Sequence, residues 1–167
     1  MTLLNRLSEL VLFVVALGEK HYRYHHLFHD FLREQAALDP IGWQVHHRRA
    51  AAYFQASQNL EEAIYHWLAA QSFGEAAAAI EQVSEAALRS GRMDAVANWI
   101  DALPPEVLAD HPALQGLLGD VYRLRSHFDA ALAWYAAAEH AWRANGDVAG
   151  ISRALRGQAL VYLDTVR

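Results

Sequence analysis

Gly119-Asp120-Val121-Tyr122, followed nine residues later by Ala131-Leu132-Ala133-Trp134-Tyr135-Ala136-Ala137-Ala138, decides the fold. Gly119 and Tyr122 are three apart, Ala131 and Tyr135 four, Tyr135 and Ala138 three. Such steps place each set on one face of a helix. The gap between the sets leaves room for a turn, so the stretch predicts two antiparallel helices. Small residues let their backbones approach, and tyrosines fill the groove between them.

The same period extends outward. Leu60, Ala63, Ile64, Trp67 and Leu68 form one apolar stripe. Met93, Val96, Ala97, Ile100 and Leu103 form a second; Leu114, Leu117, Leu118, Val121 and Tyr122 a third; Phe128, Ala131, Leu132, Tyr135 and Trp142 a fourth. Asn59 with Glu62, and Ser72 with Glu75, have capping-box spacing. Asp39-Pro40 and Asp110-His111-Pro112 place proline near a first turn. Gly91 and Gly146 stand where helices should stop, and Pro104-Pro105 breaks the chain between two helices.

Residues 10–26 read differently. Leu12 to Leu17 is rich in Val, Leu and Phe, Gly18-Glu19-Lys20 offers a turn, and His21 to His25 alternates. A β-hairpin is predicted, with Tyr22 and Tyr24 on one face. A short helix over Thr2 to Glu9 should precede it, and Leu27, Phe28, Phe31 and Leu32 mark a helix after it. Helix, hairpin, helix is the end of a winged-helix arrangement. The apolar run Leu10 to Leu17 carries Glu9 at its edge and Lys20 and Arg23 beyond, which favours a strand over a secretory signal. It is also far too short to cross a bilayer.

Composition narrows the function. The 167 residues are 54% hydrophobic and 20% charged, enough apolar surface for a core. A net charge of −5 argues against a broad phosphate-gripping face, so no direct nucleic-acid contact and no membrane contact are expected. Cysteine is absent, which excludes disulfides, thiolate zinc sites and Cys nucleophiles. A cytoplasmic setting follows as the default.

The Gly119 to Ala138 pattern resembles a tetratricopeptide repeat, with Gln115 where that family favours Trp and Arg143 where it favours Pro. Ala50 and Tyr53 before Ala63, Trp67 and Ala70 are a looser echo, as are Gly91, Ala95, Trp99 and Ala102. Tyr122 to Tyr162 spans forty residues, as in stretched repeats. Two domains are expected: 1–39, a winged-helix remnant, and 40–167, tetratricopeptide-like antiparallel helix pairs in a superhelix, all within a mainly α fold. The absence of a second helix after Tyr162 suggests a piece of a longer protein and possible self-association through the uncovered face.

Tyr22-Arg23-Tyr24-His25-His26-Leu27-Phe28-His29-Asp30-Phe31-Leu32 resembles the corresponding segment of MalT-like regulators, which are large ATP-dependent transcription activators of the LuxR type. Leu3-Leu4-Asn5-Arg6-Leu7, Leu12-Phe13-Val14, His47 to Phe54 and Leu60 to Trp67 are similar to neighbouring stretches of that family. The resemblance implies an ATPase core upstream and a helix-turn-helix downstream. This sequence holds no phosphate-binding loop, its only lysine is Lys20, and no terminal recognition helix follows. The implied function is therefore regulatory and non-enzymatic. Helical repeats would bind an effector or protein partner and relay the event to the ATPase and DNA-binding parts, with ATP or ADP involved only through the upstream core. The same resemblance sets Tyr24-His25-His26 where related signalling ATPases carry Met-His-Asp, which makes His25 a contact to the β-phosphate of ADP. A free-standing repeat adaptor is the alternative.

Other constellations are weaker. His25 and His29, four apart, or His26 and His29, three apart, could each share a helix face beside Asp30, but either pair needs a third and usually a fourth ligand for a closed zinc site, so no metal is assigned. A histidine-based metal enzyme is the remaining alternative. His46-His47-Arg48-Arg49 points around a helix and reads as a solvated face. Four of the five tryptophans fit core positions, with Trp134 the one expected to look outward. His66, His111, His127 and His140 read as isolated, and no nucleophile elbow or framed carboxylate pair suggests catalysis.

Overall fold

The structure is a computed structural model that describes residues 13–18 and 21–166. The chain divides into two units, Met1–Val45 and His46–Arg167. The expected helix over Thr2 to Glu9 lies outside the described residues.

In the first unit, β1 (Val14–Gly18) and β2 (His21–Tyr24) form the antiparallel hairpin, with Val14 opposite Tyr24 and a register shift between Ala16 and Gly18. Helix α1 (His26–Ala37) follows at once. The hairpin leans on it through Phe28, whose ring stacks on Phe13 at 4.9 Å and meets Tyr24 edge-on at 5.7 Å. Two strands are marginal alone, and these ring contacts supply part of their support. Helix α2 (Pro40–Ala56) begins with proline at its first position. Asp39 Oδ1 accepts the Gly42 N–H at 3.0 Å, satisfying one of the free donors of the first turn.

The second unit is wholly helical: the rest of α2, then α3 (Leu60–Ala69), α4 (Phe73–Arg89), α5 (Met93–Asp101), the short α6 (Pro105–Asp110), α7 (Pro112–Leu124), α8 (Phe128–Ala144) and α9 (Val148–Thr165). The mainly α fold with one hairpin is thus as expected. The stripes point inward. Ile64, Ile80, Val96, Ile100, Leu114, Leu118 and Val121 are buried in one core, and Ala131, Tyr135 and Val161 make another cluster. Buried alanines at 76, 77, 79 and 87 explain the low side-chain bulk of α4, which touches several neighbours closely.

One turn recurs. After α4 the Gly91 N–H donates to Leu88 O and the Arg92 N–H to Ala87 O, with Gly91 at φ +80°. This is a Schellman motif, which satisfies the last carbonyls of a helix. The same pair of bonds and the same left-handed residue follow α2 at Gln58, α3 at Gln71, α7 at Ser126 and α8 at Gly146. Each connection is only a few residues long, so the helices on either side run back antiparallel. Gly91 and Gly146 were expected as stops; Gln58, Gln71 and Ser126 lack that signature.

The starts differ from expectation. Asn59 and Ser72 do occupy N-cap positions, but neither side chain makes a capping hydrogen bond. Both residues also close the preceding Schellman turn. Asp147 does cap α9, accepting the Gly150 N–H at 2.9 Å. Gln115, where a tetratricopeptide repeat favours Trp, is buried and donates from Nε2 to Leu108 O at 2.9 Å, tying the end of α6 to α7.

Candidate functional site

Helices α4, α7 and α9 line an open concavity of about 540 Å³ in the second unit, with α8 beneath it. Its floor depends on glycine. Tyr135 and Trp142 lie seven apart on α8, only 2% and 5% exposed. A Cβ built on Gly119 of α7 would come within 2.6 Å of the Tyr135 ring, and one on Gly157 of α9 would also meet it. Gly150 of α9 stands in the same relation to Trp142, and a Cβ on Gly116 of α7 would come to a tight 3.3 Å from the edge of that ring. Each aromatic ring is thus inserted where a helix on either side has no side chain, and the helices close around it. Ala131 and Ala138, expected to serve the close approach, are fully buried.

Above this floor the charges are mostly paired. Tyr135 donates its hydroxyl to Asp120 Oδ1 at 2.6 Å. Burial, reinforced by the Asp120 carboxylate, pushes the phenol well above its ordinary range. Arg123 Nη1 donates to Asp164 Oδ2 at 2.8 Å. Burial opposes its charge, but Asp164, Tyr135 and Asp120 outweigh that effect and hold the guanidinium above its usual value. Glu81 meets His111 at 2.9 Å, and Glu85 meets Arg89 at 2.8 Å. Nearby, hydrogen bonds from Arg143 and Gln158 keep the Glu139 carboxyl below its ordinary value.

Two arginines of α9 are different. Arg153 lies over the Trp142 ring at 5.1 Å and has no carboxylate partner among the described residues. Arg156, one turn further, also has none there. Sequence reading singled out neither, nor Gly116, Gly150 and Gly157. A signal existed: Gly150 and Gly157 are seven apart, as are Tyr135 and Trp142.

The histidines are distributed differently from expectation. His25 is exposed at the junction of β2 and α1, its backbone N–H donating to Phe13 O at 2.7 Å and its ring 4.3 Å from that of His26. His29 pairs with Asp30 at 3.3 Å. Among the described residues no three His, Asp or Glu side chains gather as a metal site. His46, Arg48 and Arg49 are exposed as expected, but His47 is 9% exposed and bonds His66 Nδ1 to Nδ1 at 2.8 Å. His66 is therefore not isolated. Phe54 stacks on it, Tyr65 meets it edge-on, and burial holds its imidazole below the ordinary value against the opposing pull of Glu62. His111 is likewise engaged, with Glu81. Trp134 is half-buried against the main core, where it contributes packing rather than facing outward.

Residues 1–43 match the family model described as the MalT winged helix domain. That segment includes the hairpin, α1 and the start of α2, and the match supports a MalT-like origin. No curated protein and no solved structure matches the chain. Among the described residues no helix is long and apolar enough to cross a membrane.

Proposed function

We propose that this chain is the regulatory arm of a MalT-like, LuxR-type transcription regulator. Its helices form a tetratricopeptide-like superhelix that binds an effector or a protein partner. The supporting observation is the juxtaposition, in one sequence, of a MalT winged-helix segment and helix pairs with a charged concavity along α4, α7 and α9. Ligand binding shifts a two-state equilibrium in proportion to its preference for one state. The relay runs to an ATPase core and a helix-turn-helix carried elsewhere in the full-length regulator, in the cytoplasm, and this arm is not itself an enzyme.

In this reading His25 contacts the β-phosphate of ADP held by that core. Its exposed position at the strand–helix junction leaves the imidazole free to donate to an anionic oxygen.

The test starts from the coding frame. A phosphate-binding loop upstream and a helix-turn-helix downstream are expected, and the lack of both refutes the regulator reading in favour of a free-standing adaptor. In the full-length protein, His25→Ala should reduce the ADP retained through purification. Unchanged retention removes His25 from the nucleotide site.

A further inference from the structure

We propose that the concavity formed by α4, α7 and α9 takes an acidic peptide segment, with carboxylates on Arg153 and Arg156 and apolar side chains on Leu117 and Leu160. The proposal rests on the reading of this surface as the binding wall and names the chemistry of its guest.

The argument is one of charge and length. Three carboxylates line the wall, and each has a local partner: Glu81 with His111, Glu85 with Arg89, Asp120 with the Tyr135 hydroxyl. Arg123 is held by Asp164. The two arginines of the wall with no carboxylate partner among the described residues, Arg153 and Arg156, sit on one helix, whereas Asp120, bonded only to a neutral hydroxyl, has Arg123 as its nearby cation. Stacking on Trp142 orients the Arg153 guanidinium instead of leaving it to sample solvent. A planar guanidinium so held matches a carboxylate in two-point geometry.

The wall also carries Leu88, Leu117, Leu124 and Leu160, so a guest with carboxylates alone would leave them uncovered. Neighbouring packed helices lie about 8–10 Å apart, so the two steps across α4, α7 and α9 extend over roughly 16–20 Å. An extended peptide covers that with about six residues at 3.3 Å each. A nucleic acid fits less well, because two open arginines on one helix neutralise few phosphates.

The test is fluorescence anisotropy with a labelled twelve-residue peptide of alternating Leu and Glu. Matched peptides carrying Gln or Lys in place of Glu, citrate as a small polycarboxylate, and a labelled single-stranded oligonucleotide complete the set. The Glu peptide should bind more tightly than the other two, more weakly as salt rises, and at least tenfold more weakly to Arg153→Glu/Arg156→Glu. Arg156→Glu alone serves as the milder variant, since that exposed side chain makes no hydrogen bond or ion pair among the described residues and the fold should persist by circular dichroism. Equal binding of Glu and Lys peptides, no loss in either variant, full displacement by low-millimolar citrate, or tighter binding of the oligonucleotide each overturns the proposal. If the Gln peptide binds equally and Leu117→Arg abolishes that binding, the acidic preference fails while the binding wall stands. If no probe binds at millimolar concentration, both fail.

Discussion

Gly157→Ala should destabilise the protein, although alanine is the better helix former. A methyl at position 157 would lie 2.6 Å from Tyr135 Cζ and 2.8 Å from Cδ1. Carbon atoms are at their optimum near 3.5–4.0 Å, so the overlap is roughly 1 Å. The ring cannot slide away, because the backbone at Gly119 closes its other side and Asp120 tethers its hydroxyl at 2.6 Å. Overpacking of this kind costs about 1–3 kcal/mol, against a helix-propensity gain of about 1 kcal/mol. Gly74→Ala isolates the propensity effect, since a methyl there meets nothing within 4 Å. Gly157→Ala should therefore fall below Gly74→Ala by about 1–3 kcal/mol, or roughly 2–4 °C in Tm per kcal/mol. Thermal and urea unfolding followed by circular dichroism, with tryptophan fluorescence as a second probe, reads the difference. In a Tyr135→Leu background the clash disappears and Gly157→Ala should become stabilising. A Gly157→Ala protein as stable as Gly74→Ala, or a cost that persists without the ring, refutes the account of the floor.

Gln71→Gly and Ser126→Gly should each stabilise by about 0.5–1 kcal/mol, because φ of +56° and +60° strains any residue with a Cβ; a loss of Tm contradicts the turn geometry. Tyr135→Phe removes one hydrogen bond to a carboxylate and should cost about 1–3 kcal/mol. In the wild type one tyrosine should ionise later than the rest when absorbance near 295 nm is followed through alkaline pH, and that late step should vanish in the variant. His66 has a depressed pKa, so the unfolded chain binds more protons than the folded one as pH falls below 6.5. Its contribution to stability is complete above that value and is lost on acidification. The drop in Tm from pH 7.5 to 5.5 should be smaller in His66→Gln, and an equal drop in both proteins removes the His47–His66 pair as its cause.

Most helices could be read because burial imposes a period on the sequence. Ile64, Val96, Ile100, Leu114, Leu118 and Val121 all lie at stripe positions and all face the core. Turns were legible only where chemistry demanded glycine. Gln58, Gln71 and Ser126 adopt the conformation of Gly91 and Gly146, yet their residue type carries no trace of it, since the strain is small beside the packing of the helices on either side. Capping boxes misled for a related reason: Asn59 and Ser72 are at once the end of one helix's turn and the start of the next helix. The echo around Gly91 was also misread, for Gly91 shapes a turn and Ala102 is exposed.

The candidate site was harder, because its character depends on which charges find partners across the fold. Arg123 and Asp164 are forty-one residues apart, and Glu81 and His111 thirty. Along the chain, Arg153 and Arg156 look no different from Arg123 or Arg89. Local spacing assigns a partner to a charge only within one helical turn, as for Glu85 with Arg89 and Glu139 with Arg143. Which arginines remain open to a guest is therefore a tertiary property, fixed when α7 and α9 close on Tyr135 and Trp142. It follows that the glycines controlling that closure also control the chemistry of the wall. A side chain at Gly157 would press on a ring that cannot yield, so α9 itself would have to move, and with it the placement of Arg153 and Arg156.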